Sequence, residues 1–162
     1  MPAMTAAESP NMRSVPLGAI LLGGLVAGTI DIGAAALINT TDPLIILRAI
    51  ASGVLGRAAF QGGLPVSALG LALQEAMSLV IAAIYVLAAT RLPVLVRRWI
   101  PSGLGYGVAI YAVMTFIVVP LSAAPMKLHF VPVKNAEDLA AMLLFGLIIA
   151  FCTQYAAARR RG

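Results

Sequence analysis

The stretch LGAILLGGLVAGTIDIGAAALI, residues 17–38, decides the fold class of this chain. All of its residues except Thr29 and Asp31 are apolar or glycine, and as a helix it would extend about 33 Å, enough to cross the hydrocarbon core of a bilayer. It is too long for a secretory signal peptide, whose apolar part runs only about 7–15 residues. We therefore predict a first membrane span that is retained in the protein.

The composition of the whole chain is typical of a membrane protein. Of its 162 residues, 61% are hydrophobic and 10% are charged, whereas soluble domains have roughly 45–50% apolar and about 25% charged residues. The net charge is +5, but the basic residues do not cluster on a soluble face, so we predict no nucleic acid partner. Cys152 is the only cysteine, which excludes an intramolecular disulfide.

The rest of the chain contains three more long apolar segments and one shorter, charged helix. The long segments predict spans over residues 66–89, 102–124 and 139–158. Asp42 and Pro43 are typical of a helix start and predict an extra helix over residues 43–60. Arg48 and Arg57 would each cost about 2.5–3.5 kcal/mol at the centre of an exposed span, so this helix is predicted to be interfacial or re-entrant. The predicted fold class is all-α, a polytopic bundle of four transmembrane helices plus this extra helix, in one domain.

The flanks and the charges of the loops predict the orientation. Residues 1–16 are small, polar and proline-containing, which predicts a disordered segment, and residues 159–162 form a basic tail. Four spans place both termini on the same side of the membrane as the loop at residues 91–98. That side carries seven of the 11 Lys and Arg residues. The positive-inside rule then predicts that both termini are cytoplasmic.

Two acidic residues lie inside predicted spans, Asp31 in the first and Glu75 in the second. Both lie about 10–14 Å from the same membrane surface by the rise of a helix. Ionisable residues at such depth are rare and indicate a functional or ion-paired site. Arg48 and Arg57 lie on the connecting helix at that surface, and an ion pair with a carboxylate would offset the cost of burial. We predict a buried polar site of Asp31, Gln74, Glu75, Arg48 and Arg57.

Glycines recur at four-residue spacing in the predicted spans. Gly24 and Gly28 share a face of the first span, Gly70 precedes Gln74 by four residues, and Gly103 and Gly107 lie in the third span. Small residues at this spacing let helix backbones approach closely. We predict that these glycines pack the bundle or join copies of the chain in a homo-oligomer.

Enzyme and cofactor motifs are absent from the sequence. It has no nucleophile elbow, phosphate-binding loop or zinc-binding His-Glu-x-x-His motif. His129 is the only histidine, whereas a metal site needs three or four ligands. We predict no catalytic residue, no cofactor and no metal, with the lipid bilayer as the partner and any small-molecule or ion ligand left open.

Three segments together resemble a family of small bacterial inner-membrane proteins of unknown function. These are GTIDIGAAAL at 28–37, ASGVLGRAAFQGG at 51–63 and SGLGYGVAIYAVMTFIVVPLSA at 102–123. The resemblance covers most of residues 20–124 and implies a four-helix protein of the bacterial inner membrane. Relatives often carry His at the position of Gln74 and an aromatic residue at that of Glu75, so this chain departs from the family pattern there.

Two functions are compatible with these patterns. The preferred one is a structural or accessory membrane protein in which the buried acids only join helices. The alternative is a small transporter or channel component in which Asp31 and Glu75 handle a proton or a cation. A membrane enzyme using these carboxylates as acid and base is disfavoured, because no nucleophile or metal ligand accompanies them.

Overall fold

The computed structural model describes residues 17–125 and 132–159, and in these ranges the chain is helical and forms no strand. The helices are α1 (Leu17–Ile38), α2 (Pro43–Leu55), α3 (Leu64–Arg91), α4 (Pro93–Arg97), α5 (Trp99–Val113), α6 (Val119–Leu121) and α7 (Pro132–Arg159). A 3₁₀ turn, Gly56–Gln61, follows α2, and a π-helical turn, Met114–Val118, joins α5 to α6. The all-α prediction is confirmed. The segment predicted to be disordered, residues 1–16, and residues 160–162 of the basic tail lie outside the described residues.

Five helical segments are long and apolar enough to cross a membrane, which makes the chain a multi-pass membrane protein. They are Leu17–Ile38, Pro43–Gln61, Leu64–Arg91, Trp99–Leu121 and Val133–Arg159. Four of them overlap the predicted spans, and the fifth, Pro43–Gln61, is the predicted interfacial or re-entrant helix. Length and composition alone do not show whether Pro43–Gln61 spans the membrane, but the contacts between the helices do.

Helix α1 packs antiparallel to α3. Gly24 of α1 faces Leu79, and Gly28, one turn later, faces Glu75. Since residue numbers fall along α3 as they rise along α1, the end of α1 lies beside the start of α3. Residues 39–63 therefore connect α1 to α3 at one end of the bundle, which we call the hairpin end.

Helix α7 runs antiparallel to both α1 and α5. Gly23 of α1 faces Cys152 near the end of α7, while Lys134 Nζ, near the start of α7, donates a 3.0 Å hydrogen bond to Asn39 Oδ1 just beyond α1. The four long helices thus alternate in direction. The start of α1 and the end of α7 lie together at the opposite end of the bundle, which we call the arginine end. It carries Arg91, Arg97, Arg98 and Arg159.

The segment Pro43–Gln61 does not cross the bundle, because both of its ends lie at the hairpin end. Asp42 caps α2 by accepting a 2.8 Å hydrogen bond from the amide of Leu44. The helix stops at Gly56, whose φ of 61° and ψ of −147° belong to a region that essentially only glycine adopts. A 3₁₀ turn then leads back to α3. The connectivity agrees with an interfacial or re-entrant helix, but this helix is broken at Gly56 rather than continuous to residue 60.

Helices α5 and α7 begin earlier than the predicted spans at residues 102 and 139. Pro101 lies in the first turn of α5, and Pro132 is the first residue of α7. Proline is well accommodated at a helix start, because the first amides of a helix have no intrahelical partner to lose. Asn135, although asparagine is a common helix cap, therefore lies inside the first turn of α7.

The buried core lies between α1, α3, α5 and α7. Its buried side chains are Ala27, Ala82, Tyr85, Ile110, Phe145, Ile149 and Ala150. The rings of Tyr85 and Tyr106 pack at 5.0 Å between centroids, and the Tyr106 hydroxyl donates a 2.7 Å hydrogen bond to the carbonyl of Ile81. Many large apolar side chains remain exposed on the outer faces of the helices, as expected where lipid replaces water as the solvent.

Candidate functional site

Asp31 of α1 contacts Gln74 of α3. Gln74 Nε2 donates a hydrogen bond of 2.9 Å to Asp31 Oδ2, and both side chains are half-buried. Asp31 lies about 10 Å from the hairpin end of α1 by helical rise. The antiparallel register of α1 and α3 brings Gln74 to the same depth, so the hydrogen bond joins two spans inside the bundle.

Glu75 contacts α1 at a separate point. Its Oε1 accepts a 3.3 Å hydrogen bond from Thr29 Oγ1. Its Oε2 is buried and has no hydrogen-bond partner in the described part of the chain. A Cβ atom at Gly28 would lie 3.0 Å from this oxygen and 2.7 Å from Ser78 Oγ. The carboxyl group of Glu75 therefore occupies space that exists because residue 28 has no side chain.

The two arginines of the predicted site do not reach the carboxylates. Arg48 Nε donates a 3.4 Å hydrogen bond to Ser67 Oγ, and Ser67 lies two helical turns before Gln74, at the start of α3. Arg57 is exposed in the 3₁₀ turn. Across residues 17–125 and 132–159 no Lys or Arg nitrogen comes within 4.0 Å of a side-chain carboxylate oxygen. The ion pair expected from the sequence is not formed, because α2 packs near the hairpin end rather than beside Asp31 and Glu75.

The cleft beside Asp31 leaves no room for a large ligand. No group of three or more His, Cys, Asp or Glu suited to a metal ion occurs among the described residues. A cleft between α1 and α7 that is lined by Asp31 is too narrow to admit a water molecule. The Gln74 amide also presents N–H groups to Asp31, and such donors repel a metal cation. A proton is the one cation that needs neither a cavity nor several ligands.

The glycines predicted to pack helices all lie at helix contacts. Gly24 and Gly28 face α3, Gly70 faces α2, and Gly103 and Gly107 face α7. At Gly70 a Cβ atom would overlap the carbonyl group of Leu47. Gly146 lies opposite Gly103 and Gly107, so the α5–α7 contact is formed by glycines on both sides. Side chains at these positions would force the backbones apart.

Sequence reasoning did not single out Thr29 as a site residue, although it is the hydrogen-bond donor to Glu75. Its one visible sign is that Thr29 and Asp31 are the only polar residues of an otherwise apolar span. Ser78 is a second residue that the sequence did not single out, and the structure places its hydroxyl beside Gly28.

Comparison with known proteins adds no relative: no family model matches the chain, and no curated protein or solved structure is significantly similar to it. The resemblance to a family of bacterial inner-membrane proteins stays a prediction. The function must be inferred from the geometry of the site.

Proposed function

We propose that this multi-pass membrane protein is a small transporter or channel component that passes protons by way of Glu75. The observation that supports this most strongly is that Glu75 Oε2 is buried between α1 and α3 with no hydrogen-bond partner in the described residues. A charged carboxylate buried without a cation costs several kcal/mol. A proton on Glu75 removes that charge without requiring any rearrangement of the packed helices.

Asp31 supplies a second proton-binding group on the neighbouring helix. Gln74 donates a hydrogen bond to one carboxylate oxygen of Asp31, and the Asp31 side chain lines the cleft between α1 and α7. Because this cleft is closed to water, we propose that the structure is an occluded state. Movement of a proton past Asp31 then requires α1 and α7 to separate, so that transport depends on a change in this helix contact.

The experiment is proton uptake by proteoliposomes that contain the full chain. A potassium gradient with valinomycin sets the membrane potential, and a pH-sensitive dye inside the vesicles reports protons. We expect uptake with the wild type and a loss of at least tenfold with Glu75→Gln. Glu137→Gln, an exposed glutamate near the start of α7, is the matched control and should retain the wild-type rate. Absence of uptake with correctly reconstituted wild type contradicts the transport proposal.

A second candidate, a structural or accessory membrane protein, is favoured by the closed helix contacts. Gly103, Gly107 and Gly146 bring α5 and α7 into backbone contact, and the cleft beside Asp31 is too narrow for water. Under this function the wild type gives no uptake. The polar contacts would then serve assembly, and Asp31→Asn or Glu75→Gln should change the yield of folded protein instead of a flux.

We also propose that the membrane is the bacterial inner membrane and that both termini are cytoplasmic. The arginine end carries four described arginines, whereas the hairpin end carries three described basic residues, Arg48, Arg57 and Lys134. The positive-inside rule assigns the arginine end to the cytoplasm. A reporter that is active only outside the cytoplasm, fused after Gly162, should be silent, and activity there would contradict this orientation.

A further inference from the structure

An apolar groove lies on the lipid-facing surface of the arginine end, away from Asp31 and Glu75. It has a volume of about 520 Å³ and is formed by α1, α5 and α7. Its lining includes Val26, Trp99, Ile100, Leu147, Phe151 and Cys152. Trp99 is the first residue of α5, while Val26 lies nine residues into α1, or about 14 Å from the start of that helix. The groove therefore extends from the arginine end towards the middle of the bundle.

A row of aromatic rings connects the groove to a positive charge. Trp99 meets Phe151 edge-on at 5.6 Å between ring centroids, and Phe151 stacks on Tyr155 at 6.3 Å. The guanidinium carbon of Arg159 lies 4.9 Å from the centre of the Tyr155 ring. Arg159 is thus held against the aromatic row that begins inside the groove.

Exposed arginines lie next to groove residues in the chain and at the same end of the bundle. Arg97 and Arg98 immediately precede Trp99, and they are exposed, as are Arg91 and Arg159. The acidic side chains of the described residues lie elsewhere, either inside the bundle or at the hairpin end. They are Asp31, Asp42, Glu75, Glu137 and Asp138. No described carboxylate therefore lies among the arginines of the arginine end.

We propose that this groove binds an anionic phospholipid, with one acyl chain against Trp99 and Phe151 and the phosphate at Arg98 and Arg159. The apolar lining suits a hydrocarbon chain, and the exposed arginines suit the negative headgroup. A second copy of the chain is a poorer occupant. Two copies sharing one membrane orientation would bring their arginine ends together, where like charges repel.

The test uses the fluorescence of Trp99, which is the only tryptophan of the chain. Full-length protein is reconstituted in vesicles of unlabelled phosphatidylcholine. One set of vesicles contains phosphatidylglycerol brominated on its acyl chain, and the other contains an equal mole fraction of phosphatidylcholine brominated in the same way. Bromine quenches tryptophan only at short range. We expect brominated phosphatidylglycerol to quench Trp99 with an apparent affinity at least fivefold higher than brominated phosphatidylcholine, since each arginine near an anionic surface contributes about fivefold.

Variants at the two ends of the bundle provide the comparison. Arg98→Gln and Arg159→Gln should each lower the preference for phosphatidylglycerol by about fivefold. Arg57→Gln removes one exposed arginine at the hairpin end and should leave the preference unchanged. Val26→Phe fills the groove from α1 without a change of charge and should lower quenching by both lipids, so it tests the groove even where an arginine variant folds poorly.

Three outcomes would overturn the lipid site. One is equal quenching of the wild type by both brominated lipids. Another is a preference for phosphatidylglycerol that persists in both Arg98→Gln and Arg159→Gln. The third is quenching that falls as the protein-to-lipid ratio rises, which indicates that a second copy covers the groove. Circular dichroism of each variant in the same vesicles verifies that the helices have formed.

Discussion

Gln74 Nε2 lies 2.9 Å from Asp31 Oδ2 and donates a hydrogen bond to it across the contact between α1 and α3. No water is available inside a bilayer to replace such a partner, so a polar group there must be satisfied within the protein. The two residues are separated by 43 positions in the chain and are brought together by the antiparallel register of their helices. Loss of either side chain leaves the other without this partner.

The first prediction concerns this hydrogen bond. Gln74→Leu leaves Asp31 without its donor and should lower the free energy of unfolding by about 1–3 kcal/mol, the cost of an unsatisfied buried polar group. Gln154→Leu is the matched control, since Gln154 is half-buried in α7 and its side chain bonds to none of the described residues. It should change stability by less than about 0.5 kcal/mol. Denaturant unfolding in detergent micelles measures both, and equal costs for the two variants would contradict the role of Gln74.

The second prediction compares two glycines of α5 that lie two residues apart. A Cβ atom at Gly107 would lie 2.7 Å from the Cα atom of Leu143, whereas at Gly105 it would meet nothing within 4 Å. Gly107→Ala should therefore destabilise the protein by about 1–3 kcal/mol through overpacking of the α5–α7 contact. Gly105→Ala should be neutral or stabilise it by up to about 1 kcal/mol, because alanine favours the helix. Thermal unfolding in micelles gives the difference, and similar midpoints for the two variants would show that α5 and α7 do not pack as described.

The third prediction concerns the path of residues 39–63. In a Cys152→Ser background, single cysteines at Thr41 and Gln61 should react with a membrane-impermeant maleimide from the same side of the membrane. A cysteine at Leu92, in the loop after α3, should react from the opposite side. If Pro43–Gln61 crosses the membrane as a fifth span, Thr41 and Gln61 will instead be labelled from opposite sides.

The sequence was most informative where hydrophobicity alone determines structure. The predicted first span and α1 have the same bounds, residues 17–38, because the run of apolar residues ends at the polar loop Asn39–Asp42. Helices α5 and α7 start three and seven residues before the predicted spans. The sequence did not show this because proline is compatible with a helix start as well as with a loop. The break of α2 at Gly56 depends on a positive φ, which the other described glycines do not share.

The candidate site was predictable in its depth but not in its partners. The positions of Asp31 and Glu75 within their predicted spans indicated similar depths in the membrane. The register of α1 and α3 places the two residues at similar depths in the bundle. Which residue bonds to which depends on the rotation of each helix, and consecutive residues Gln74 and Glu75 both reach α1. Arg48 was expected near a carboxylate because it lies on the connecting helix. It bonds to Ser67 instead, because α2 crosses only the first turns of α3.

The fourth prediction concerns proton transfer by way of Glu75, which is the central claim. Proton uptake by proteoliposomes, compared among the wild type, Glu75→Gln and Glu137→Gln at equal protein content, measures it most directly. We predict uptake in the wild type and in Glu137→Gln, and a loss of at least tenfold in Glu75→Gln. A wild type without uptake, or an unchanged rate in Glu75→Gln, would contradict the role of Glu75.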